Sequence, residues 1–318
     1  MAIKTANLSK RSGNGWAFRD IDLEVAFGEV FCVFGPANAG KTALLNVLAG
    51  NEPADSGGLF IDKSISPGGA TFPPREIIQP NGILGRFFGR FRRESVMERL
   101  RRMREVIAKP DAKLILLDEP LTGLDTLIKS DLLASIQNAA KRGAAVILTS
   151  SDFSDVCPVA DRIAVIADGY LRQTGAPDEI YEMPENSLIA ALCGRINLIE
   201  ARRRTSSKAE LPEFQTIDGA HRLFTKKMDV RRLGAINKNV RLGIRPEHLS
   251  LSFGAAFPED NLLRATIGTK RFCGPFTLVE LSCNGLQLTA SVPRLVGISA
   301  GDECMVGLPP DRIRVFAE

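Results

Sequence analysis

Eight consecutive residues, GPANAGKT from Gly35 to Thr42, have the make-up of a phosphate cradle. In the pattern G-x-x-x-x-G-K-[ST], backbone N–H groups of the loop and of the following helix surround phosphate oxygens. The lysine reaches the terminal phosphates and the hydroxyl binds Mg²⁺. Here the nucleotide-binding residues are Gly35, Pro36, Ala37, Asn38, Ala39 and Gly40, followed by Lys41 and Thr42. Asn38 tolerates a left-handed backbone better than most residues, so the loop can close around it. LILLDEP, Leu114 to Pro120, supplies the acids. Asp118 at the end of an apolar run is placed to organise Mg²⁺ through water, and Glu119 beside it to polarise an attacking water. Alone, such a pair reads as a strand terminus or a helix cap. With a phosphate loop in the same chain, the catalytic reading is the stronger.

These residues need elements that hold them. VFCVF, Val30 to Phe34, is a short β-rich apolar run that delivers the loop, and TALLNVLAG carries helical spacing to a stop at Gly50. LILL at 114–117 and AAVIL at 144–148 read as two more buried strands, separated by TLIKSDLLASIQNAAKRG, an amphipathic helix ending at Gly143. Strands alternating with helices predict an α/β domain with a mostly parallel sheet, and the phosphate loop between its first buried strand and helix makes the expectation an α/β P-loop NTPase domain. After Gly194 the helical periods fade. VRLGI, LLRATIG, TLVELSC, LQLTASV, CMVGL and RIRVF follow one another between Gly, Pro, Asn and Asp, which predicts a small all-β barrel or sandwich. The expected domains are 1–194 and 195–318, with RRRTSSK as a polar linker or loop. A length of 318 residues suits two domains.

Bulk composition narrows the class. Six cysteines without CxxC spacing read as reduced thiols. No stretch approaches the roughly 18 apolar residues of a spanning helix, so membrane association is expected to come through a partner. The net charge of +4 is concentrated: residues 86–109 hold nine Arg and Lys against three Glu. Val96, Leu100, Met103 and Ile107 recur there at helical spacing, predicting an amphipathic helix whose arginines face water; a docking face for an acidic membrane-protein loop or a lipid surface is the alternative. No interleaved aromatics or RNA-binding motif accompany it, and nucleic acid is not an expected partner.

LLDEPLTGLD, Leu116 to Asp125, resembles the Walker B and D-loop run of ABC transporter ATPases, and DRIAVIADGYLRQTGAPDEIYEMPEN is similar to the segment closing their nucleotide-binding domain. RINLIEA and VRLGIRPEHLSL resemble the accessory C-terminal (TOBE-like, OB-like) barrel of importer ATPases of the maltose, glycerol-phosphate and polyamine type. The likeness covers residues 1 to about 62 and 110 to 318. It implies ATP and Mg²⁺ as cofactors, transmembrane permease subunits as partners, and a peripheral place on the cytoplasmic face of the inner membrane. The implied function is coupling ATP binding and hydrolysis to import of a sugar, polyol or glycerol-phosphate-like solute.

Departures from the family pattern carry their own implications. Lys41 and Asp118 are only 77 positions apart, and no LSGGQ-like signature occurs between them; SPGGA at 66–70 lies too early. In the family that signature completes the partner subunit's site, so a second, complete ATPase is the expected partner. KRSG offers Ser12 where the family carries an adenine-stacking aromatic, and Trp16 nearby is expected in an ordinary packing role. Gln79 is the candidate for the Mg²⁺-sensing glutamine. Ser151, ahead of Asp152, stands where the family has a histidine contacting the γ-phosphate; a hydroxyl donates one hydrogen bond and takes no positive charge, so turnover is expected to be weakened. A non-hydrolysing regulatory subunit, in which nucleotide is a switch, is the other reading.

Overall fold

The computed structural model describes residues 1–65, 96–207, 211–227, 233–253, 261–293 and 297–317, which form two units, Met1–Glu182 and Met183–Glu318. The first begins with an antiparallel sheet in which β1 (Ile3–Ser12) lies between β2 (Gly15–Ile21) and β3 (Glu24–Val25). Strand β1 is largely polar in sequence and was not legible as a strand. Its inner face buries Ile3 and Leu8 but also Thr5 and Ser9, and Thr5 satisfies its hydroxyl by donating to the Ile21 carbonyl at 2.8 Å and accepting from the Leu23 N–H at 2.8 Å.

The chain then enters a second sheet. β4 (Val30–Phe34) is buried at all five positions and runs straight into the phosphate loop, and α1 (Lys41–Leu48) follows. β5 (Ser56–Ile61) returns to pair with β1. Then come α2 (Val96–Ala108), β6 (Leu114–Leu117), α3 (Thr126–Lys141), β7 (Ala145–Ser150), α4 (Phe153–Val156), β8 (Arg162–Ala167), β9 (Tyr170–Gly175) and α5 (Pro177–Glu182). The sheet order is β6-β7-β4-β8-β9; the first four strands are parallel and β9 is antiparallel. Continuous apolar strands such as VFCVF and AVIL suit a sheet covered on both faces. Phe18, Phe31, Val33, Leu44, Leu45 and Ile147 share one core cluster, so α1 and the antiparallel sheet pack against the parallel one.

Register positions the site. Leu117 lies opposite Leu148 and Phe34 opposite Ser150, so Gly35, Asp118 and Ser151 all emerge at the carboxyl ends of adjacent strands. That edge is where open α/β sheets hold ligands.

Among the described residues of the second unit, α6 (Ser187–Cys193) precedes the strands β10 (Asn197–Arg204), β11 (Glu213–Thr216), β12 (Arg222–Phe224), β13 (Asn239–Ile244), β14 (Ser250–Ser252), β15 (Asn261–Phe272), β16 (Thr277–Cys283), β17 (Leu286–Val292), β18 (Glu303–Leu308) and β19 (Arg314–Phe316). They make two antiparallel sheets, β12-β11-β10-β13-β19 and β14-β18-β15-β16-β17, around a single apolar cluster that includes Phe214, Leu242, Leu281 and Val306. The units divide at Glu182, ahead of the sequence boundary at 194, and α6 goes with the second. Arg245, buried at 4% exposure, donates to the carbonyls of Ala190, Gly194 and Arg195 at 2.8, 3.1 and 3.1 Å, which ties the end of α6 to the β domain. RRRTSSK is also not all loop. Strand β10 continues through Arg204 because the inward positions Ile199 and Ala201 are followed by Arg203, whose guanidinium donates to the Gly234 carbonyl.

Candidate functional site

Gly35 to Gly40 curl between β4 and α1 in a backbone that only certain residues accept. Asn38 has φ +66° and Gly40 φ +96°. A Cβ on Gly40 would sit 2.1 Å from the Ala17 carbonyl oxygen, and one on Gly35 2.0 Å from that of Ile166, so both glycines are required by close backbone approach. Asn38 takes the left-handed conformation that its residue type allows. Gly40 is the N-cap of α1 and supplies no side-chain acceptor, which leaves the first N–H groups of the helix facing the loop.

Lys41, 6% exposed, donates to the carbonyls of Gly35 at 2.8 Å and Pro36 at 2.9 Å and to Ser151 Oγ at 3.1 Å, and its Nζ lies 3.3 Å from Glu119 Oε1. Thr42 Oγ1 donates to Asp118 Oδ2 at 2.8 Å. Ser151, just past the end of β7, closes the group: its Oγ donates to Glu119 Oε1 at 2.5 Å and its N–H to Oε2 at 3.3 Å. The structure therefore brings Lys41, Thr42, Asp118, Glu119 and Ser151 into one cluster. Gln79 lies outside the described residues, as does SPGGA.

Burial raises the Asp118 carboxyl above its usual range, opposed by hydrogen bonds from Thr149 and Thr42 that favour the anion. Beneath the cluster, the Cys32 thiol in β4 is fully buried and held well above its ordinary range, first by burial and then by the Glu119 charge.

The oxygens of Thr42 and Asp118 form a hard donor pair beside the loop. Among the described residues no group of three or more His, Cys, Asp or Glu could hold a metal by itself. One hydroxyl and one carboxylate suit a hard cation such as Mg²⁺, which keeps water and takes substrate phosphate as further ligands.

Three residues escaped sequence reading. Thr149, wholly buried, donates to Asp118 Oδ1 at 2.6 Å and accepts the Glu119 N–H at 2.8 Å. Thr122 Oγ1 donates to Glu119 Oε2 at 3.3 Å. Arg99 of α2 was expected to face water, yet it is 9% exposed and its guanidinium donates to the Thr122 carbonyl. Of the apolar stripe, Leu100, Met103 and Ile107 are buried as their spacing predicts and Arg99 is carried inward with them, whereas Val96, the first residue of the helix, is exposed. Only the hydroxyl at the end of AVILT gave any signal, since a polar residue in an otherwise apolar buried strand needs a partner. Trp16 is not core: it is 40% exposed, with the guanidiniums of Arg11 and Arg19 at 4.9 and 5.6 Å from its ring centre.

A family model described as TOBE domain matches residues 242–316. The trehalose/maltose import ATP-binding protein MalK of Thermococcus litoralis is 24% identical over 367 residues, 99% of this chain and 97% of that protein. The maltose/maltodextrin import ATP-binding protein MalK of Salmonella typhimurium is 26% identical over 366 residues, covering 100% and 96% of the two. The sulfoquinovosyl glycerol transport ATP-binding protein SmoE of Agrobacterium fabrum is 25% identical over 361 residues, covering 99% and 97%. Along its whole length this chain resembles the MalK-type ATP-binding subunits of ABC importers, with a TOBE domain at its C-terminal end.

Proposed function

We propose that this chain is the ATP-binding subunit of an ABC importer for a sugar, polyol or glycerol-phosphate-like solute, acting at the membrane beside transmembrane permease subunits and paired with a second, complete ATPase. The observation that carries the proposal is the convergence of Lys41, Thr42, Asp118 and Glu119 on a glycine-closed loop at the carboxyl edge of parallel strands. ATP is taken at this loop: backbone N–H groups and Lys41 hold its phosphates. Thr42 and Asp118 would hold Mg²⁺, which screens phosphate charge when bound. Glu119 is the one carboxylate in the cluster free of the Thr42 contact, and it is placed to accept a proton from water at the terminal phosphate.

Pairing with a complete partner is supported by two features. No LSGGQ-like stretch stands between Lys41 and Asp118. The match to the Salmonella protein runs over 366 residues whereas this chain has 318, so that relative holds stretches with no counterpart here. A second reading, a non-hydrolysing regulatory subunit, is favoured by Ser151, whose hydroxyl is spent on Glu119 and carries no charge.

Steady-state turnover of the chain alone and with its co-purified partner separates the two. Alone it should turn over little ATP. In the mixed complex Glu119→Gln should lower turnover at least tenfold while ATP still binds, because the change removes a carboxylate and keeps its volume. Unchanged turnover with Glu119→Gln would leave the regulatory reading standing.

A further inference from the structure

Thr149 lies in the last turn of pleat of β7, where every neighbour in AVIL is apolar and the side chain is wholly buried. A hydroxyl costs stability in such a place unless it is bonded, and valine would fill the same volume without that demand. The partners that satisfy it are both acids of the site. Parallel register, with Leu117 opposite Leu148, sets Thr149 beside Asp118. Its single proton goes to Asp118 Oδ1 at 2.6 Å, and its lone pair receives the Glu119 N–H at 2.8 Å.

The two bonds do different things. Asp118 is 3% exposed, and its second oxygen already accepts from Thr42 at 2.8 Å. With Thr149 on Oδ1 and Thr42 on Oδ2, both torsions of the carboxylate are fixed from opposite sides, so its remaining lone pairs keep a single direction. The second bond acts on backbone. Glu119 adopts φ +46°, a left-handed conformation that a glutamate rarely takes, and it is this turn that sends its carboxylate back toward Lys41 and Ser151. Holding the Glu119 N–H on a buried oxygen keeps the turn closed where no water competes.

We propose that Thr149 is a positioning residue of the nucleotide site: one hydroxyl aims the Asp118 carboxylate at the phosphate-bound cation and locks the backbone turn that delivers Glu119. The inference rests on the Mg-ATP reading of the site and adds a residue that acts through Asp118 and the Glu119 backbone.

The test is calorimetric binding of ATP by the full chain, first in EDTA and then across a Mg²⁺ titration, for wild type, Thr149→Val and Thr149→Ser. Thr149→Val should keep the EDTA affinity and raise the Mg²⁺ midpoint about tenfold, the scale of one buried charge-assisted hydrogen bond. Thr149→Ser, which restores the hydroxyl without the methyl, should return the midpoint to within about twofold of wild type. If Thr149→Val does not fold, Thr149→Cys takes its place, the thiol being a weaker donor, and the midpoint should still rise. An unchanged Mg²⁺ midpoint in a folded variant lacking the hydroxyl overturns the proposal. So does an equal loss with and without Mg²⁺, which is the mark of general damage. Absence of ATP binding in wild type instead removes the underlying nucleotide reading.

Discussion

At the scale of the residue, the Lys41 ammonium has three N–H donors, and Gly35 O, Pro36 O and Ser151 Oγ take them with Glu119 beside them. A phosphate that binds here replaces protein oxygens on one cation, and the gain is the difference between two charge-assisted arrangements. Lys41→Ala should still cost about 1.5–3 kcal/mol, roughly a 10- to 100-fold weaker Mg-ATP affinity by calorimetry, because the bound phosphate loses its cation and Glu119 its ion pair. An affinity equal to wild type would separate the loop from nucleotide binding. The loop was readable in sequence because its parts are consecutive, and the φ of Asn38 is what its residue type allows. Thr149 and Arg99 were not, since Thr149 reaches Asp118 only once β6 and β7 have paired and Arg99 reaches the Thr122 carbonyl only once α2 has packed; Thr122 is near Glu119 in sequence, but nothing in the turn residues marked its hydroxyl for that carboxylate.

At the scale of the element, punctuation explains which pieces were legible. TGLD ends in Asp125, which caps α3 by accepting the Ile128 N–H at 3.0 Å, so one residue both ends the turn after Glu119 and starts a sixteen-residue helix. Replacing it with alanine should cost about 1 kcal/mol of stability. That corresponds to a fall of about 2–4 °C in the melting temperature of a unit this size, with Asp125→Asn near wild type. Near-UV circular dichroism melts would show it, and an unmoved midpoint for alanine would mean that packing alone sets the start of α3. Strand β1 shows the opposite case. Its inner face spends two positions on hydroxyls that bond to neighbouring backbone, so no period-two apolar pattern survives for sequence reading to find. In α2 the period was legible but its consequence was not, because burying three apolar residues on one face also brought an arginine to a carbonyl.

At the scale of the whole molecule, the two units carry separate apolar clusters, one around Phe18, Phe31 and Leu44 and the other around Phe214, Leu242 and Val306. Every residue of the nucleotide cluster belongs to the first unit. Mg-ATP at a hundred times its dissociation constant should therefore add about 2.7 kcal/mol to that unit. Scanning calorimetry should show one transition moving upward and the other staying in place. A single transition moving as a whole would mean the units unfold together. The six thiols sort themselves differently: Cys157 and Cys273 are exposed, whereas Cys32, Cys193, Cys283 and Cys304 are buried, with Cys32 on β4, the strand that delivers the phosphate loop, and within reach of the Glu119 charge. Only a thiolate is alkylated quickly, and Cys32 is kept both out of solvent and out of its anionic form. Its modification therefore waits for the strand floor to lift, so the alkylation of Cys32, resolved from that of the three other buried thiols by peptide mass mapping, is a stopwatch for breathing of the phosphate-loop floor, wound by the fold itself and needing no added reporter.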